Sequence, residues 1–226
     1  MPKSRRNQQW GILLFKRLAV IAASASTLFG LSAHAATVLY FTGTDGSWVS
    51  GGETRTLLSE ADGGTFAFQA FETFGGAIAV DINNYANDTV PFQDQVGYSV
   101  EVAPRAGETL GVGLYLGGTR FPFQDPSEPG LNFSGNGRGN NMQTGYFNIL
   151  ELEIDDMGAI VAFAVDLLQY TETSTTEYSW VSLRFNSDIA LTLDPILNPA
   201  PVPVPGAVLL FAPALLGLGA ARRRPR

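Results

Sequence analysis

The chain predicts an all-β fold, a single antiparallel β-sandwich of jelly-roll-like form. Three observations carry that expectation. Short runs rich in β-branched and aromatic residues recur along the middle of the chain. Glycine-rich turns separate them. No window sustains an apolar period of 3.6 residues, so no amphipathic helix competes for the same segments.

The elements follow in order. Thr37–Thr42 is the first expected strand. Thr65–Phe71 sets Phe66, Phe68 and Ala70 against Ala67, Gln69 and Phe71 on opposite faces. Ala77–Ile82 follows the Gly75-Gly76 turn. Gln95–Val102, Gly111–Leu116, Tyr146–Ile154, Ile160–Tyr170 and Tyr178–Phe185 complete the set. Gly46, Gly51-Gly52, Gly63-Gly64, Gly117-Gly118 and Gly158 punctuate them. Val161–Tyr170 fits helix or strand by pattern alone. Its Val, Phe and Ala content and the Asp156-Met157-Gly158 turn before it favour a hairpin strand. No internal repeat is present. The expected organisation is a signal peptide over 1–35, an acidic β domain over 36–197, a Pro-rich linker over 198–201 and a sorting segment over 202–226.

Both ends read as processing signals. Lys3, Arg5, Arg6, Lys16 and Arg17 form a positive leader. Leu18–Leu31 is an apolar stretch of small residues, and Ala33-His34-Ala35 is a small-x-small site with cleavage expected before Ala36. Ser4-Arg5-Arg6 is not followed by an apolar pair, so general secretion rather than a twin-arginine route is expected. At the other end Pro203 and Pro205 precede an apolar segment, Ala207–Ala221, and then Arg222, Arg223, Arg224 and Arg226. Ala207, Leu210, Phe211, Leu215, Leu216 and Leu218 give that segment its membrane affinity. Its 15 residues, at ~1.5 Å each, reach about 22 Å. The hydrocarbon core is ~30 Å thick, so the span is marginal and suits transient retention. The arginines would stop transfer on the cytoplasmic side.

Val202-Pro203-Val204-Pro205, Leu209-Leu210-Phe211, Ala214-Leu215-Leu216-Gly217-Leu218-Gly219 and the terminal arginine run together resemble a PEP-CTERM sorting signal. That family usually has Glu where this chain has Val204. The resemblance implies export across the inner membrane of a Gram-negative-type bacterium. It also implies recognition and cleavage near Val202–Pro205 by an exosortase, and an association with extracellular polysaccharide. The body has a resemblance of its own. Phe41–Gly52, Thr119–Gln124, Pro129-Gly130-Leu131, Ser134–Gly139, Phe163–Asp166 and Leu183–Ser187 are similar to a family of exported bacterial domains of unassigned function. The similarity spans most of residues 38 to 191 and implies an all-β secreted module with no catalytic residue. Some relatives carry a cysteine near Asn140 and another near Thr171, consistent with a disulfide; this chain has neither.

Composition excludes several chemistries. The single histidine, His34, leaves with the signal peptide, and the chain has no cysteine. The body therefore lacks the parts of a Ser-His-Asp or Cys-His site and the usual zinc and copper ligands. Residues 36–197 hold all 21 acidic residues and five arginines, a formal charge of −16. Such a surface repels phosphate backbones, so no nucleic-acid partner is expected.

Four candidate sites stand against plain structural alternatives. Glu151 and Glu153, with Asp155, alternate on one strand face, a spacing compatible with a retaining glycosidase pair. The alternative is the solvated face of an antiparallel strand. The Gly-rich loop around Asn136, Arg138 and Asn140 lacks the Lys-Ser/Thr of a phosphate loop, but offers amides and a guanidinium to a glycan or carboxylate. Its alternative is a structural turn. Asp45, Asp125, Asp155, Asp156 and Asp188 fall in expected turns where a structural calcium would find oxygens, yet none follows an EF-hand loop. Trp48, Phe121, Phe123, Tyr170, Tyr178 and Trp180 form either a sugar-stacking platform or core, and Arg120 is expected to pair with an acid. The expectation drawn from all this is a non-catalytic exported protein of the cell surface or exopolysaccharide matrix, without cofactor. Its expected partners are the secretion machinery, an exosortase and, transiently, the inner membrane. A glycan-binding module and a glycosidase are the alternatives.

Overall fold

The structure of the chain, a computed structural model, describes residues 35–197 and Pro199. Ten strands form: β1 (Ala36–Gly43), β2 (Arg55–Leu58), β3 (Ala67–Thr73), β4 (Ala77–Asn83), β5 (Gly97–Ala103), β6 (Gly113–Arg120), β7 (Gly130–Gly135), β8 (Gln143–Ile154), β9 (Ile160–Thr171) and β10 (Tyr178–Ser187). The protein is all-β. Among the described residues helix is confined to two 3-10 turns, Phe74–Gly76 and Phe92–Asp94, and no helix is long and apolar enough to cross a membrane.

The strands join in one sheet, ordered β2-β1-β10-β9-β8-β6-β7-β5-β4-β3. Every seam is antiparallel except β6–β7, where Thr119 and Arg120 run parallel to Gly130 and Leu131. The expected all-β class is borne out, and the strands form a continuous mixed sheet curled into a half-barrel. Curvature has local causes. Register breaks occur between Leu116 and Gly118, where Gly117 takes φ +70°, and between Ile149 and Glu151. Each inserts an extra residue on one strand, which bends it and increases its twist.

The curl brings distant strands face to face. Phe41 of β1 lies 5.1 Å from Tyr98 of β5 and 5.2 Å from Phe133 of β7, although four strands separate β1 from β7 in the sheet order. Around these rings Leu39, Val80, Ile82, Val100, Leu131, Phe147, Val165 and Leu183 close the main core. This interior takes every second residue of each strand and leaves the alternate set on the outer face. On β9 and β10 the outer set is buried as well, in part by apolar residues. Tyr146, Leu168 and Trp180 form a second cluster there, with Tyr40, Leu114, Tyr170 and Tyr178 packed against it. Burial on both faces explains the near-continuous apolar run of β9, which reads ambiguously by period alone.

Candidate functional site

The outer face of β4, β5 and β7 carries a polar groove of about 360 Å³. Its floor follows from strand alternation. Val80, Ile82, Tyr98, Val100 and Phe133 point into the core, so Asp81, Asn83, Ser99 and Ser134 face out. Register sets Asp81 opposite Ser99 and Ser99 opposite Ser134. Ser99 Oγ donates to Asp81 Oδ1 at 2.9 Å. The other Asp81 oxygen has no hydrogen-bond partner among the described residues.

Tyr85 walls one side. The loop from Asn84 to Val96 is pinned by the buried Asn84, whose Oδ1 accepts the Val96 amide at 2.7 Å. The Tyr85 amide donates to Asn83 Oδ1 at 3.3 Å. The ring then lies across β5 at Gly97, where any side chain would strike its hydroxyl. Tyr85 remains 59% exposed.

The opposite wall is the turn after β7. Gly135 and Arg138 exchange backbone hydrogen bonds of 2.9 Å, closing a two-residue hairpin turn. Asn136 at φ +49° and Gly137 at φ +74° supply the positive angles this turn demands. Thus Asn136 and Arg138 of the sequence-predicted loop line the groove. Asn140 does not join them. It is buried, and neither side-chain polar atom finds a partner among the described residues.

Arg138 differs from the other described arginines. Arg55 pairs with Glu53, Arg105 with Glu108, and Arg184 with Asp166. Arg120 donates to the Asn141 carbonyl and stacks 4.7 Å from the Phe123 centroid rather than meeting the acid expected for it. Arg138 stacks over Trp48 at 5.6 Å, and its guanidinium N–H groups have no acceptor among the described residues.

The other sequence-predicted residues scatter. Trp48 and Phe123 are exposed, each beneath a guanidinium. Phe121 is buried and stacks on Phe74, Trp180 is fully buried, and Tyr170 meets Tyr178 edge-on at 6.3 Å. No single aromatic platform results. Glu151 and Glu153 pair with Ala164 and Ala162, while Leu152 packs against the core. A register break between Glu153 and Ile154 ends the alternation, so Ile154 is exposed. Asp155 is drawn into the hairpin turn, accepting the Met157 and Ala159 amides at 2.9 and 2.8 Å. Asp125 likewise accepts the Ser127 amide and hydroxyl, which hold its carboxyl below the usual range. Asp45, Asp156 and Asp188 are exposed. Among the described residues no three acidic or histidine side chains are gathered as metal ligands.

A feature invisible in the sequence lies on β8–β10. Residues 188–197 cross their outer face as a strap. Arg184 Nε and Nη2 donate to the Ile189 and Ala190 carbonyls at 3.1 and 2.8 Å. Thr192 is held three ways. Its hydroxyl donates to Asp166 at 2.6 Å, its amide to Ser182 Oγ at 3.0 Å, and its carbonyl accepts Trp180 Nε1 at 2.7 Å. The Tyr146 hydroxyl donates to the Ile196 carbonyl. Burial, reinforced by the nearby Asp166 charge, raises the Tyr146 phenol well above its ordinary range.

Ala35 precedes β1, and Ala36 opens it opposite Ser187. Ala33 lies outside the described residues, as does the rest of the expected signal peptide. So do Val202–Pro205, the apolar residues Ala207, Leu210, Phe211, Leu215, Leu216 and Leu218, and Arg222, Arg223, Arg224 and Arg226. Compared with protein-family models, curated proteins and solved structures, the chain matches none.

Proposed function

We propose that this chain is an exported, non-catalytic protein of the bacterial cell surface or exopolysaccharide matrix. In this reading the general secretion machinery exports it. The inner membrane holds it in transit through Ala207–Ala221, and an exosortase cleaves near Val202–Pro205. Its curled sheet serves as a jelly-roll-like β-sandwich body, with the facing halves acting as the two leaves. The sequence-level signals at both ends support the reading, and so does the charge of −16 on the body between them.

One structural observation carries it. Among the described residues, the last fastened residue of the strap is Ile196, six positions before Val202. The hydrogen bonds that tie the described residues of the strap to β8–β10 all lie before the expected cleavage turn. Removal of the tail would leave these fastenings in place, which is what a cleaved sorting segment requires. Mass spectrometry of the chain recovered from its native cells tests the reading. We expect an N-terminus at Ala36 and a C-terminus near Pro205, the latter lost when the exosortase gene is deleted. Recovery of an intact 226-residue chain from the cytoplasm overturns it.

A further inference from the structure

We infer that the groove between Tyr85 and Arg138 is a binding site for a chain of neutral sugars. This rests on the surface of the β domain alone and not on the sorting reading.

The first argument is size and shape. The groove holds about 360 Å³, the lower end of the range for small-ligand sites. It crosses β4, β5 and β7, two strand spacings or about 10 Å. It runs along the sheet surface rather than into the core, which suits an internal stretch of a polymer better than a compact metabolite.

The second argument is the kind of groups presented. A sugar ring offers hydroxyls that donate and accept, and a C–H face that stacks on aromatics. The groove supplies each counterpart. Arg138 contributes N–H donors without a protein acceptor among the described residues. Asp81 contributes an oxygen left over after Ser99 is served. Ser134 and Asn136 add short polar side chains, and Tyr85 adds an exposed ring.

The third argument is that the geometry is built. The buried Asn84 fixes the Tyr85 loop, Gly97 makes room for the ring, and the Asn136-Gly137 turn sets Arg138 opposite. A residue that merely decorates a surface does not need a buried clamp and a bare glycine beneath it.

Charge selects among saccharides. Arg138 alone would welcome a uronate. Asp81 shares the groove with it, however, and the body carries 16 net negative charges, so an anionic polymer meets repulsion both locally and at long range. Neutral hexose polymers meet neither.

Affinity electrophoresis of the full chain in nonionic detergent tests this, with dextran, laminarin, galactomannan or alginate cast in the gel. We expect at least one neutral polymer to retard the protein. Tyr85→Ala and Asp81→Ala should each weaken that retardation about tenfold, the effect of removing a stacking face or a charged hydrogen-bond acceptor. Glu153→Gln, on the outer face away from the groove, should leave it unchanged. Tyr85 is exposed and its replacement should not shift the thermal midpoint, which separates lost binding from lost folding. Retardation that survives both groove substitutions overturns the inference. So does retardation by alginate alone, and so does the absence of retardation by all four polymers.

Discussion

Arg184 donates to the Asp166 carboxylate at 3.0 Å, and both side chains are buried on the outer face of the sheet beneath residues 188–197. The pair is not isolated. Arg184 also serves the Val165, Leu183, Ile189 and Ala190 carbonyls, and Asp166 also accepts from Ser182 and Thr192. Buried charges persist only when their remaining donors and acceptors are satisfied in this way. The pair therefore welds the strap to β9 and β10.

Breaking it from one side should be costly. Arg184→Met leaves an uncompensated buried carboxylate, and we expect a loss of about 3–5 kcal/mol. Arg184→Met combined with Asp166→Leu should recover part of that loss, because no charge remains to be solvated. Urea denaturation of the two single variants and the double variant gives the coupling directly. Equal stability of Arg184→Met and the parent chain would show that the pair is not formed.

Truncation should divide sharply on either side of the strap. A chain ended at Pro201 keeps every contact described here and should melt with the parent. A chain ended at Ser187 uncovers Trp180, Tyr146 and Leu168 and strips Arg184 of its Ile189 and Ala190 acceptors, so it should lose cooperative unfolding. Scanning calorimetry distinguishes the two outcomes.

Alkaline pH should loosen the same region. The folded-state pKa of Tyr146 is raised above its unfolded value of 10.0 by burial. Its protonated form is therefore favoured by folding. That contribution is complete below about pH 10 and falls away as pH climbs toward the folded value. Tyr98, also raised by burial, acts with the same sign. Tyr146→Phe should cost about 0.5–1.5 kcal/mol at pH 7, the net worth of one hydrogen bond, while flattening the decline above pH 10. Urea midpoints at pH 7, 10 and 11 provide the check.

The turn after β7 should tolerate its two central residues differently. Gly137 sits at φ +74°, where a Cβ is strained whatever the space around it. Gly137→Ala should cost about 1–2 kcal/mol. Asn136→Gly, which relieves rather than imposes a positive angle, should stay within about 0.5 kcal/mol. Thermal midpoints of the two variants test the assignment.

Glu151 and Glu153 should be dispensable for any behaviour toward polysaccharide. Neither lines the groove. The proposal of a non-catalytic protein predicts no release of reducing ends from the neutral polymers named above. Release that disappears in Glu151→Gln would replace that proposal with a glycosidase.

Strand identity was largely legible in the sequence, because alternation and glycine turns are local signals. β1, β3, β4, β5, β6, β8, β9 and β10 all lie on expected runs. β2 escaped because four residues, of which only Leu57 is buried, are too few to show a period. β7 escaped because its two core residues, Leu131 and Phe133, sit in a short strand bounded by Gly130 and Gly135, too few to show a period. The single curled sheet was not legible at all, since it depends on which strands pair across a hundred residues. The site followed the same division. Asn136 and Arg138 stood out by composition, but Asp81, Asn83, Ser99 and Tyr85 are unremarkable until register sets their strands side by side. Asn140, attractive in the same glycine-rich stretch, turned inward for a reason that no spacing rule reveals. The strap left no signal because Ile189, Ala190 and Ile196 are held through backbone carbonyls, which every residue owns, and the one threonine hydroxyl carries no pattern.

The pairing of Ala36–Gly43 with Tyr178–Ser187 sets the order of assembly. The first strand to emerge has its principal neighbour among the last, so it must wait with an unpaired edge while more than a hundred residues arrive. Contacts this remote in the chain make for slow acquisition of the native state, and an exposed strand edge invites association between nascent molecules. The eight intervening strands can dock on one another in the meantime, but closure of the half-barrel is necessarily a late event. Production of this protein should therefore be limited by escorting an open β template, and holdase capacity rather than intrinsic stability should govern its yield.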